Sequence, residues 1–369
     1  MYANNSTAGA DLMAVCRENT KPEYIVNTIF LVFIMGATLF GNGLVVAAVY
    51  MFARLRRMSN YFIVSLAVSD LLLALASLPL RIDQSYHNNN WCRDLSTCTY
   101  WIATDGIWAS ASICHLAVIS IDRFLAVTKP FAYQELMTKT LGFTLLGFVW
   151  VYACLWGLLG LFNWTDPGTP SIYTGVYPTG ERFCTKNDKW YYTVALAVAF
   201  FLPLLIVIVT YACVFNVALN QARAMSLADP NKRGHKRIVR ELKATKTIAI
   251  VIGAFVVCWL PFFIIVVLSL WCKPEDCFAA FQKYPKFSLA IRIPFVFVLP
   301  MVNSCINPVI YAVYNKEFRM SFSVMLLRKK RGRRSPDYLE ELSVTEHSNM
   351  RRSIIDDRVT HPMNGAKGT

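Results

Sequence analysis

The sequence predicts an all-α membrane protein, a seven-transmembrane helix bundle followed by a short amphipathic eighth helix. Hydrophobic residues make up 55% of the 369 residues and charged residues only 16%, whereas roughly a quarter of a typical soluble domain is charged. Seven runs carry at most one charge each, at 24–53, 58–80, 99–121, 140–165, 190–222, 247–272 and 293–315. Each reaches the ~20 residues that a membrane-spanning helix needs. The alternating pattern of barrel strands is absent, so helices are the expected spanning elements.

The positive charges predict how the chain is oriented. Basic clusters follow the first span at 54–57, precede the sixth at 232–240 and follow the seventh at 329–334. All three lie on one side of the membrane, which the positive-inside rule makes cytoplasmic. We expect a multi-pass protein of the cell membrane with an extracellular N-terminus and a cytoplasmic C-terminus. Anionic membrane lipid and cytoplasmic partners then account for the net charge of +14, and no nucleic-acid partner is predicted.

Four segments are expected along the chain. Residues 1–23 form a glycosylated extracellular N-terminus, 24–314 the seven-span domain, 315–334 an amphipathic membrane-surface helix with a basic segment, and 335–369 a disordered cytoplasmic tail. Glycosylation sequons begin at Asn4, Asn5 and Asn163, all on the side predicted to be extracellular.

The eleven cysteines fall into two groups. Five lie within spans and are expected to be buried free thiols, and six lie in outer segments, where disulfides persist. A bond between Cys98 and Cys184 would hold the second outer loop across the ends of the helices, and Cys272 could close a small loop with Cys277. The pairing of Cys16 and Cys92 stays open.

The third span carries an isolated acid. Between Cys98 and Arg123 the only charges are Asp105, Asp122 and Arg123. Asp105 and Arg123 are 18 residues apart, about 27 Å along a helix, so the acid lies near one face of the membrane and the Asp122–Arg123 pair near the other. An ionisable residue within a span indicates a functional site, because a partner or a ligand must offset its desolvation. The alternative is a paired carboxylate with a purely structural role.

Motifs in every span coincide with those of one family. The matching residues are Gly41-Asn42, Leu66-Ala67-Val68-Ser69-Asp70, Asp122-Arg123-Phe124, Trp150, Pro203, Tyr211, Cys258-Trp259-Leu260-Pro261 and Asn307-Pro308-Val309-Ile310-Tyr311. Together they resemble the rhodopsin-like (class A) G-protein-coupled receptors over residues 24–325. The resemblance includes the biogenic-amine branch, because Asp105 stands where those receptors have their ligand-binding aspartate.

The resemblance implies a cationic ligand in a cavity walled by aromatic rings. A carboxylate at low dielectric binds a protonated amine strongly, and aromatic faces add cation–π attraction. The residues expected to bind the ligand are Asp105, Trp108, Ala109, Ala195, Ala199, Trp259, Phe262, Phe263, Phe297 and Met301.

Two departures from the amine receptors narrow the expected ligand. The fifth-span positions that usually carry serine or threonine in catecholamine receptors are Ala195, Leu196 and Ala199, so a catechol hydroxyl lacks its usual partners. Met301 and Val298 replace a tyrosine that braces the aspartate and a tryptophan. Met301 also stands in place of the lysine that opsins need to bind retinal. Phenolic, indole, imidazole or less polar amines remain, and so do ligands outside the amines.

The resemblance also implies an allosteric sodium site, with no other cofactor or metal. Its oxygen donors are Asp70, Ser112, Asn303 and Ser304, with Asn42 and Asn307 close by. A hard cation prefers such oxygens and offsets the cost of an ionised acid within the membrane. The alternative is a protonated Asp70 in a polar hydrogen-bond network.

At the inner end the resemblance implies a switch that controls coupling to a G protein. Arg123 is expected to pair with Asp122 and Glu241 in the closed receptor and to be released as the sixth helix moves outward. The residues assigned to switching and coupling are Asp122, Arg123, Phe131, Tyr211, Glu241, Asn307, Pro308 and Tyr311.

The sequence therefore predicts a receptor that binds a small protonated amine and activates a heterotrimeric G protein, without enzyme activity. Receptor kinases and arrestin are further expected partners. The alternatives are a receptor of the same fold for a peptide, lipid or other non-amine ligand and, from another class, a transporter. A basic side chain of the protein bound to Asp105 would count against the amine hypothesis and leave only the receptor of unspecified ligand.

Overall fold

The computed structural model describes Cys16 and residues 21–129, 131–176, 180–226, 233–272, 295 and 298–327. Asn4, Asn5, Cys277 and Phe297 lie outside the described residues, as does the tail beyond 327. The chain forms two compact units, Met1–Arg319 and Met320–Thr369. The helix bundle and the cavity belong to the first unit.

The described helices are α1 (Pro22–Met51), α2 (Met58–Ala76), α3 (Leu78–Tyr86), α4 (Leu95–Thr128), α5 (Tyr133–Leu136), α6 (Lys139–Leu159), α7 (Lys189–Val194), α8 (Leu202–Ser226), α9 (Arg233–Trp271), α10 (Leu299–Tyr314) and α11 (Lys316–Leu327). A 3₁₀ turn at Ala53–Leu55 follows α1, and a π-helical segment at Ala195–Phe201 joins α7 to α8. Two strands, β1 (Ile172–Val176) and β2 (Arg182–Lys186), precede α7.

Seven helical stretches form the predicted bundle. Within the described residues, six are long and apolar enough to cross a membrane: α1, α2 with α3, α4, α6, α7 through α8, and α9. The seventh, α10, is described from Leu299 and packs against both α1 and α9. The structure confirms the all-α membrane fold.

Helix α4 lies at the centre of the bundle. It packs against α2, α6 and α8, and 67% of its most apolar stretch is buried, compared with 28% for α1, α6 and α9. Asp94 caps its first turn by accepting a hydrogen bond from the backbone N–H of Thr97. The helix that carries Asp105 and Arg123 is therefore the most buried of the described spanning helices.

The second span is longer than the sequence predicted. It was expected to end at residue 80, but α3 continues to Tyr86 after an interruption at Ser77. Pro79 lies in the first turn of α3, where its missing N–H costs no helical hydrogen bond. Arg81 was taken as the end of the apolar run, whereas its side chain is 13% exposed. The span continues because this charge has partners inside the protein.

Two disulfides tie together one end of the bundle, termed the disulfide end. Cys98 on α4 bonds to Cys184 on β2, as predicted, and Cys16 bonds to Cys92, which settles a pairing that the sequence left open. Strands β1 and β2 form an antiparallel hairpin in which Thr174 faces Cys184. Cys272 is also disulfide-bonded, and its expected partner lies outside the described residues. The hairpin is thus anchored directly above the central helix.

Candidate ligand cavity and ionic switch

A cavity of about 290 Å³ opens inside the bundle near the disulfide end. Helices α3, α4, α6, α9 and α10, the π segment and strand β2 all contribute to its wall. Ligand pockets generally measure roughly 300–1,000 Å³, so this cavity suits a small molecule.

Eight of the ten residues expected to bind the ligand line this one cavity. They are Asp105, Ala109, Ala195, Ala199, Trp259, Phe262, Phe263 and Met301. Trp108 is not among the residues that line the cavity: its ring packs against the apolar cluster of Leu31, Ile34 and Met301. Along an α-helix a residue three positions from Asp105 is rotated by about 60°, enough here to turn it towards α1 and α10. Phe297 lies outside the described residues.

Asp105 has a basic partner that the sequence hypothesis did not include. Nη2 of Arg81 lies 3.4 Å from Oδ2 of Asp105, and the two side chains are 13% and 29% exposed. The acid is therefore not isolated, which corrects the prediction. The contact is a single long one, since good charge-assisted hydrogen bonds measure about 2.7–2.9 Å. The other carboxylate oxygen, Oδ1, is buried and makes no hydrogen bond within the described structure.

Arg81 is held over an aromatic ring as well as beside the acid. Its guanidinium carbon lies 4.3 Å from the centre of the Trp101 ring, within cation–π range. The sequence did contain a signal for this placement, because Arg81 follows Asp70 by eleven residues. Eleven residues are close to three full turns, so both side chains point from the second span towards the bundle interior.

The far wall of the cavity is aromatic. Phe263 lies 3.6 Å from Phe200 and 5.5 Å from Trp259 between ring centres, and Phe262 meets Phe263 edge-on. Five further aromatic residues line the cavity without having been predicted: Trp101, Trp156, Tyr191, Tyr192 and Phe200. In sequence, an aromatic residue that lines the cavity cannot be distinguished from one that packs in the core of the bundle, because both lie in apolar runs. Only the packing of the helices separates the two groups.

Helix geometry changes where the fifth span meets the cavity. The π segment Ala195–Phe201 replaces regular helix directly before Pro203, and such segments often occur at functional sites. Ala195 and Ala199 line the cavity, so these two positions offer no side-chain hydroxyl to a ligand.

The loop above the cavity is fixed by a buried ion pair. Nζ of Lys186 lies 3.3 Å from Oδ2 of Asp188, and both side chains are fully buried. Burial alone would raise the pKa of Asp188, but hydrogen bonds from the backbone N–H groups of Trp164 and Tyr191 outweigh it and hold that pKa below its ordinary value. Burial lowers the pKa of Lys186, and the nearby Asp188 charge limits the decrease. The pair joins β2 to the start of α7.

Below the cavity, the expected sodium donors gather around Asp70. Asn307 donates from Nδ2 to Oδ2 of Asp70 at 3.0 Å, and the side chain of Ser304 also hydrogen-bonds this acid. The Ser112 hydroxyl and Oδ1 of Asn42 are buried and make no hydrogen bond within the described structure. Asn303 is buried too. Buried oxygens without hydrogen bonds fit the donor set of a hard cation.

At the opposite end of α4, Arg123 is paired with Asp122. Nε of Arg123 donates to Oδ2 of Asp122 at 2.9 Å, and the guanidinium also reaches the Ser59 hydroxyl. Tyr133 on α5 donates to Oδ1 of Asp122 at 2.6 Å, a contact that the sequence analysis missed. Burial, with a further contribution from Asp122, raises the pKa of Tyr133 to about 12, so its hydroxyl stays protonated at neutral pH. The Asp122–Arg123 pair therefore has two supporting contacts.

The other switch residues surround this end of the bundle. Phe131 is 91% exposed beside α5, and the Tyr211 hydroxyl is buried without a hydrogen bond in the described structure. Tyr311 is buried, and its ring lies 5.7 Å from that of Phe318. Pro308 packs against α1, where a Cβ on Gly41 would lie 2.9 Å from its ring. The side chain of Glu241 lies outside the described residues, so its expected pairing with Arg123 stays a prediction.

Comparison with known proteins identifies the relatives of this chain. A family profile described as "7 transmembrane receptor (rhodopsin family)" matches residues 41–311. The chain is 31% identical to a D(1)-like dopamine receptor of Takifugu rubripes, over 88% of this chain and 75% of that protein. It is 30% identical to Octopamine receptor beta-2R of Chilo suppressalis, over 80% and 78% respectively. It is also 30% identical to an Alpha-1A adrenergic receptor of Oryzias latipes, over 84% and 68%.

The profile covers most of the chain, and these relatives are named for biogenic amines. The fold and the motif residues agree with this match, and the transporter alternative has no support. The protein therefore belongs to the rhodopsin family of seven-transmembrane G-protein-coupled receptors, in its biogenic-amine group.

Proposed function

We propose that this receptor binds a small ligand with a protonated amine in the cavity beside Asp105 and activates a heterotrimeric G protein. The observation that carries the proposal is that the Asp105 carboxylate lines an aromatic-walled cavity and that Arg81 contacts it at 3.4 Å, longer than a strong charge-assisted hydrogen bond. An ammonium group is the natural donor for such a carboxylate. The names of the relatives support the same ligand class. The family consists of receptors, not enzymes.

Arg81 changes the form that this proposal takes. A basic partner of Asp105 was the stated condition against the amine hypothesis, and the structure meets it. A lone carboxylate waiting for a simple amine is therefore not what the cavity contains. The amine proposal is retained only in a form in which the ammonium shares the Asp105 carboxylate with Arg81.

The same ion pair favours a second candidate function. If the Arg81–Asp105 contact only stabilises α3 against α4, the receptor binds a non-amine ligand through the aromatic wall. Peptides, lipids and neutral small molecules belong to this candidate.

Coupling follows from the two ends of α4. The Asp122–Arg123 pair is intact, as the proposal expects of the closed arrangement. A ligand that prefers the open arrangement shifts the equilibrium by no more than that preference. Opening requires Arg123 to leave Asp122 and Ser59, while the exposed Phe131 offers an apolar contact to the G protein.

The cell-surface arrangement is part of the proposal. The disulfide end faces outward, as persistent disulfides require, and Asn163 in the loop before β1 is a glycosylation site. The Arg123 end faces the cytoplasm, where G protein, receptor kinases and arrestin act.

A sodium ion bound by Asp70, Ser112, Asn303 and Ser304 would supply a positive charge that stabilises ionised Asp70.

The test is a panel of protonated amines applied to cells that express the receptor, with cAMP and calcium signals measured. An active amine should lose roughly tenfold to a hundredfold in potency with Asp105→Asn, the expected loss of one charge-assisted hydrogen bond. Asp83→Asn is the matched control, because Asp83 pairs with Arg93 outside the cavity. An unchanged amine response in Asp105→Asn would overturn the proposed function and favour the non-amine receptor.

A further inference from the structure

One edge of strand β2 faces away from β1 and is termed the outer edge. In an antiparallel pair, the backbone N–H and C=O of every second residue point towards the partner strand, and those of the residues between them point away. Arg182 points away from β1, because its C=O accepts from the Trp91 backbone N–H at 3.1 Å and its N–H donates to Oδ1 of Asn90 at 2.8 Å. Cys184 lies two residues further along β2, so its N–H and C=O also point to the outer edge.

The far end of the hairpin gives the same register. The backbone N–H of Asn187 donates to the Ser171 carbonyl at 2.8 Å, so Asn187 points towards β1. Alternation then turns the backbone groups of Cys184 and Lys186 away from β1. Within the described residues, the N–H and C=O of Cys184 make no hydrogen bond with another segment. The outer edge therefore offers one donor and one acceptor at this position.

This part of the outer edge lies at the ligand cavity. Cys184, Thr185 and Lys186 line the cavity, whereas Arg182 does not. The disulfide joins the Cys184 side chain to Cys98 on α4, so that side chain points into the bundle. Residues directly opposite each other in a sheet place their side chains on the same face. A strand added beside Cys184 would therefore direct one side chain into the bundle, towards the cavity.

From this register we propose that the receptor binds a short extended peptide, which adds a strand to the outer edge of β2 and places one apolar or aromatic side chain in the cavity. The peptide residue opposite Cys184 donates its N–H to the Cys184 C=O, and its own C=O accepts from the Cys184 N–H. The proposal goes beyond the proposed function, because it concerns the part of the ligand above the cavity and does not require an amine.

The outer edge limits the length of the peptide. Trp91 occupies the position at Arg182, and β2 ends at Lys186. The positions at Cys184 and Lys186 are about 7 Å apart, at ~3.4 Å per residue. They face alternate residues of an added strand, so about three peptide residues lie along the edge. A longer extended segment would meet Trp91 at one end and the buried Lys186–Asp188 pair at the other.

The cavity selects the side chain that the peptide carries opposite Cys184. Phe200, Trp259, Phe262 and Phe263 group on one side of its wall. Burying an apolar or aromatic side chain against these rings is favourable. The volume of about 290 Å³ lies at the lower end of the range of ligand pockets, so the cavity holds one side chain while the peptide backbone stays at β2.

The experiment uses acetyl-glycyl-X-glycine amides, in which X is phenylalanine, tryptophan or leucine, and the purified full-length receptor. Binding is measured as the rise in melting temperature with peptide concentration. Methylation of the nitrogen of X removes the donor to the Cys184 C=O and should weaken binding roughly threefold to tenfold, the usual effect of one hydrogen bond. Methylation of the following glycine nitrogen, which points away from β2, should change the affinity by less than about twofold.

Amide hydrogen exchange measures the same contact on the receptor. The bound phenylalanine tripeptide should slow exchange of the Cys184 N–H by roughly tenfold. The N–H groups of Phe183 and Thr185, which point towards β1, should keep their exchange rates. Phe263→Ala removes one ring of the cavity wall and should weaken this tripeptide roughly tenfold. The matched control is Phe148→Ala on α6, at a 64% exposed position, which should leave the affinity unchanged.

The outcomes separate this proposal from the proposed function. Equal effects of the two methylations, or unchanged exchange at Cys184, would overturn the added strand. If amines activate the receptor and none of the tripeptides binds, the added strand is overturned and the proposed function stands. If the tripeptides bind with the expected methylation pattern and no amine is active, the proposed amine ligand is overturned and the added strand stands.

Discussion

Some polar residues inside the spans have a full set of hydrogen-bond partners and others do not, and this difference governs the chemistry at the level of single residues. His115 is fully buried on α4, yet its ring nitrogens contact the Ala111 carbonyl and the Ser65 hydroxyl at 2.7 Å each. Because a carbonyl only accepts, Nδ1 carries the proton and Nε2 accepts from Ser65. Trp150 in turn donates to Ser65 at 3.0 Å. A buried polar group with full hydrogen bonding stabilises a bundle, whereas an unsatisfied one is available to a ligand or an ion.

Asp70→Asn should abolish any stabilisation by sodium. Sodium at about ten times its dissociation constant stabilises a protein by roughly 1.4 kcal/mol, and the variant lacks the negative charge that binds it. The measurement is the melting temperature in sodium chloride and in N-methylglucamine chloride at equal ionic strength. Asp83→Asn should keep the wild-type difference. The same sodium effect in Asp70→Asn as in wild type would rule out the site.

Tyr133→Phe should raise basal G-protein activation. The variant loses the 2.6 Å hydrogen bond to Asp122, and a bond to a charged group contributes about 1.5–3 kcal/mol. If the bond exists only in the closed state, the open fraction rises by roughly tenfold or more. Basal nucleotide exchange reports the change, with Tyr50→Phe, at a 79% exposed position, as control. Unchanged exchange would show that the bond persists when the receptor opens.

The same hydrogen bond predicts a pH dependence. Since the folded-state pKa of Tyr133 is raised to about 12, its contribution to stability is complete below the ordinary tyrosine pKa of about 10. The contribution is lost only as the pH rises through the folded-state value. Physiological pH changes therefore leave this bond intact.

At the level of elements, close helix contacts depend on residues without side chains. Helices α4 and α6 approach each other at Gly157, where a Cβ would lie 2.8 Å from the Ala103 carbonyl oxygen. Helices α1 and α10 approach at Gly41 and Pro308 in the same way. These two contacts fix the central helix and the seventh helix, which carry Asp105 and Asn307.

Gly157→Ala should destabilise the receptor by about 1–3 kcal/mol, the usual cost of overpacking a tight contact. Gly147→Ala on the same helix is the control, because a Cβ there meets no atom within 4 Å. That substitution should be neutral or stabilising by up to about 1 kcal/mol through helix propensity. The measurement is the thermal unfolding of both purified variants. Equal stability of Gly157→Ala and Gly147→Ala would contradict the tight contact between α4 and α6.

For the whole molecule, one helix, α4, connects the cavity to the Asp122–Arg123 pair. The cavity lies at the disulfide end of α4 and the Asp122–Arg123 pair at the other. The cavity and the ion pair are both built on one continuous helix, Leu95–Thr128. Under the proposed function, a ligand that moves α3 or α9 against this helix would act on both ends at once and so transmit a signal across the bilayer.

Epitope tags test the orientation. A tag before Met1 should be labelled by antibody on intact cells, whereas a tag after Thr369 should be labelled only after permeabilisation. Asn163→Gln should increase gel mobility if that extracellular sequon carries a glycan. Labelling of the C-terminal tag on intact cells would reverse the proposed orientation.

The sequence alone predicted the helix bundle. Its seven apolar runs are local features of the chain, and in lipid each such run must form a helix to satisfy its backbone hydrogen bonds. It also identified eight of the residues that line the cavity and the Cys98–Cys184 bond. Only the tertiary structure decided what Asp105 contacts, where Trp108 points and which cysteine pairs with Cys16. Arg81 is the clearest case: in sequence it ends an apolar run, but in space an acid of the next span and the ring of Trp101 hold its charge inside the protein. The partners that offset the burial of this charge come from another helix, so they cannot be read from the stretch of sequence around Arg81.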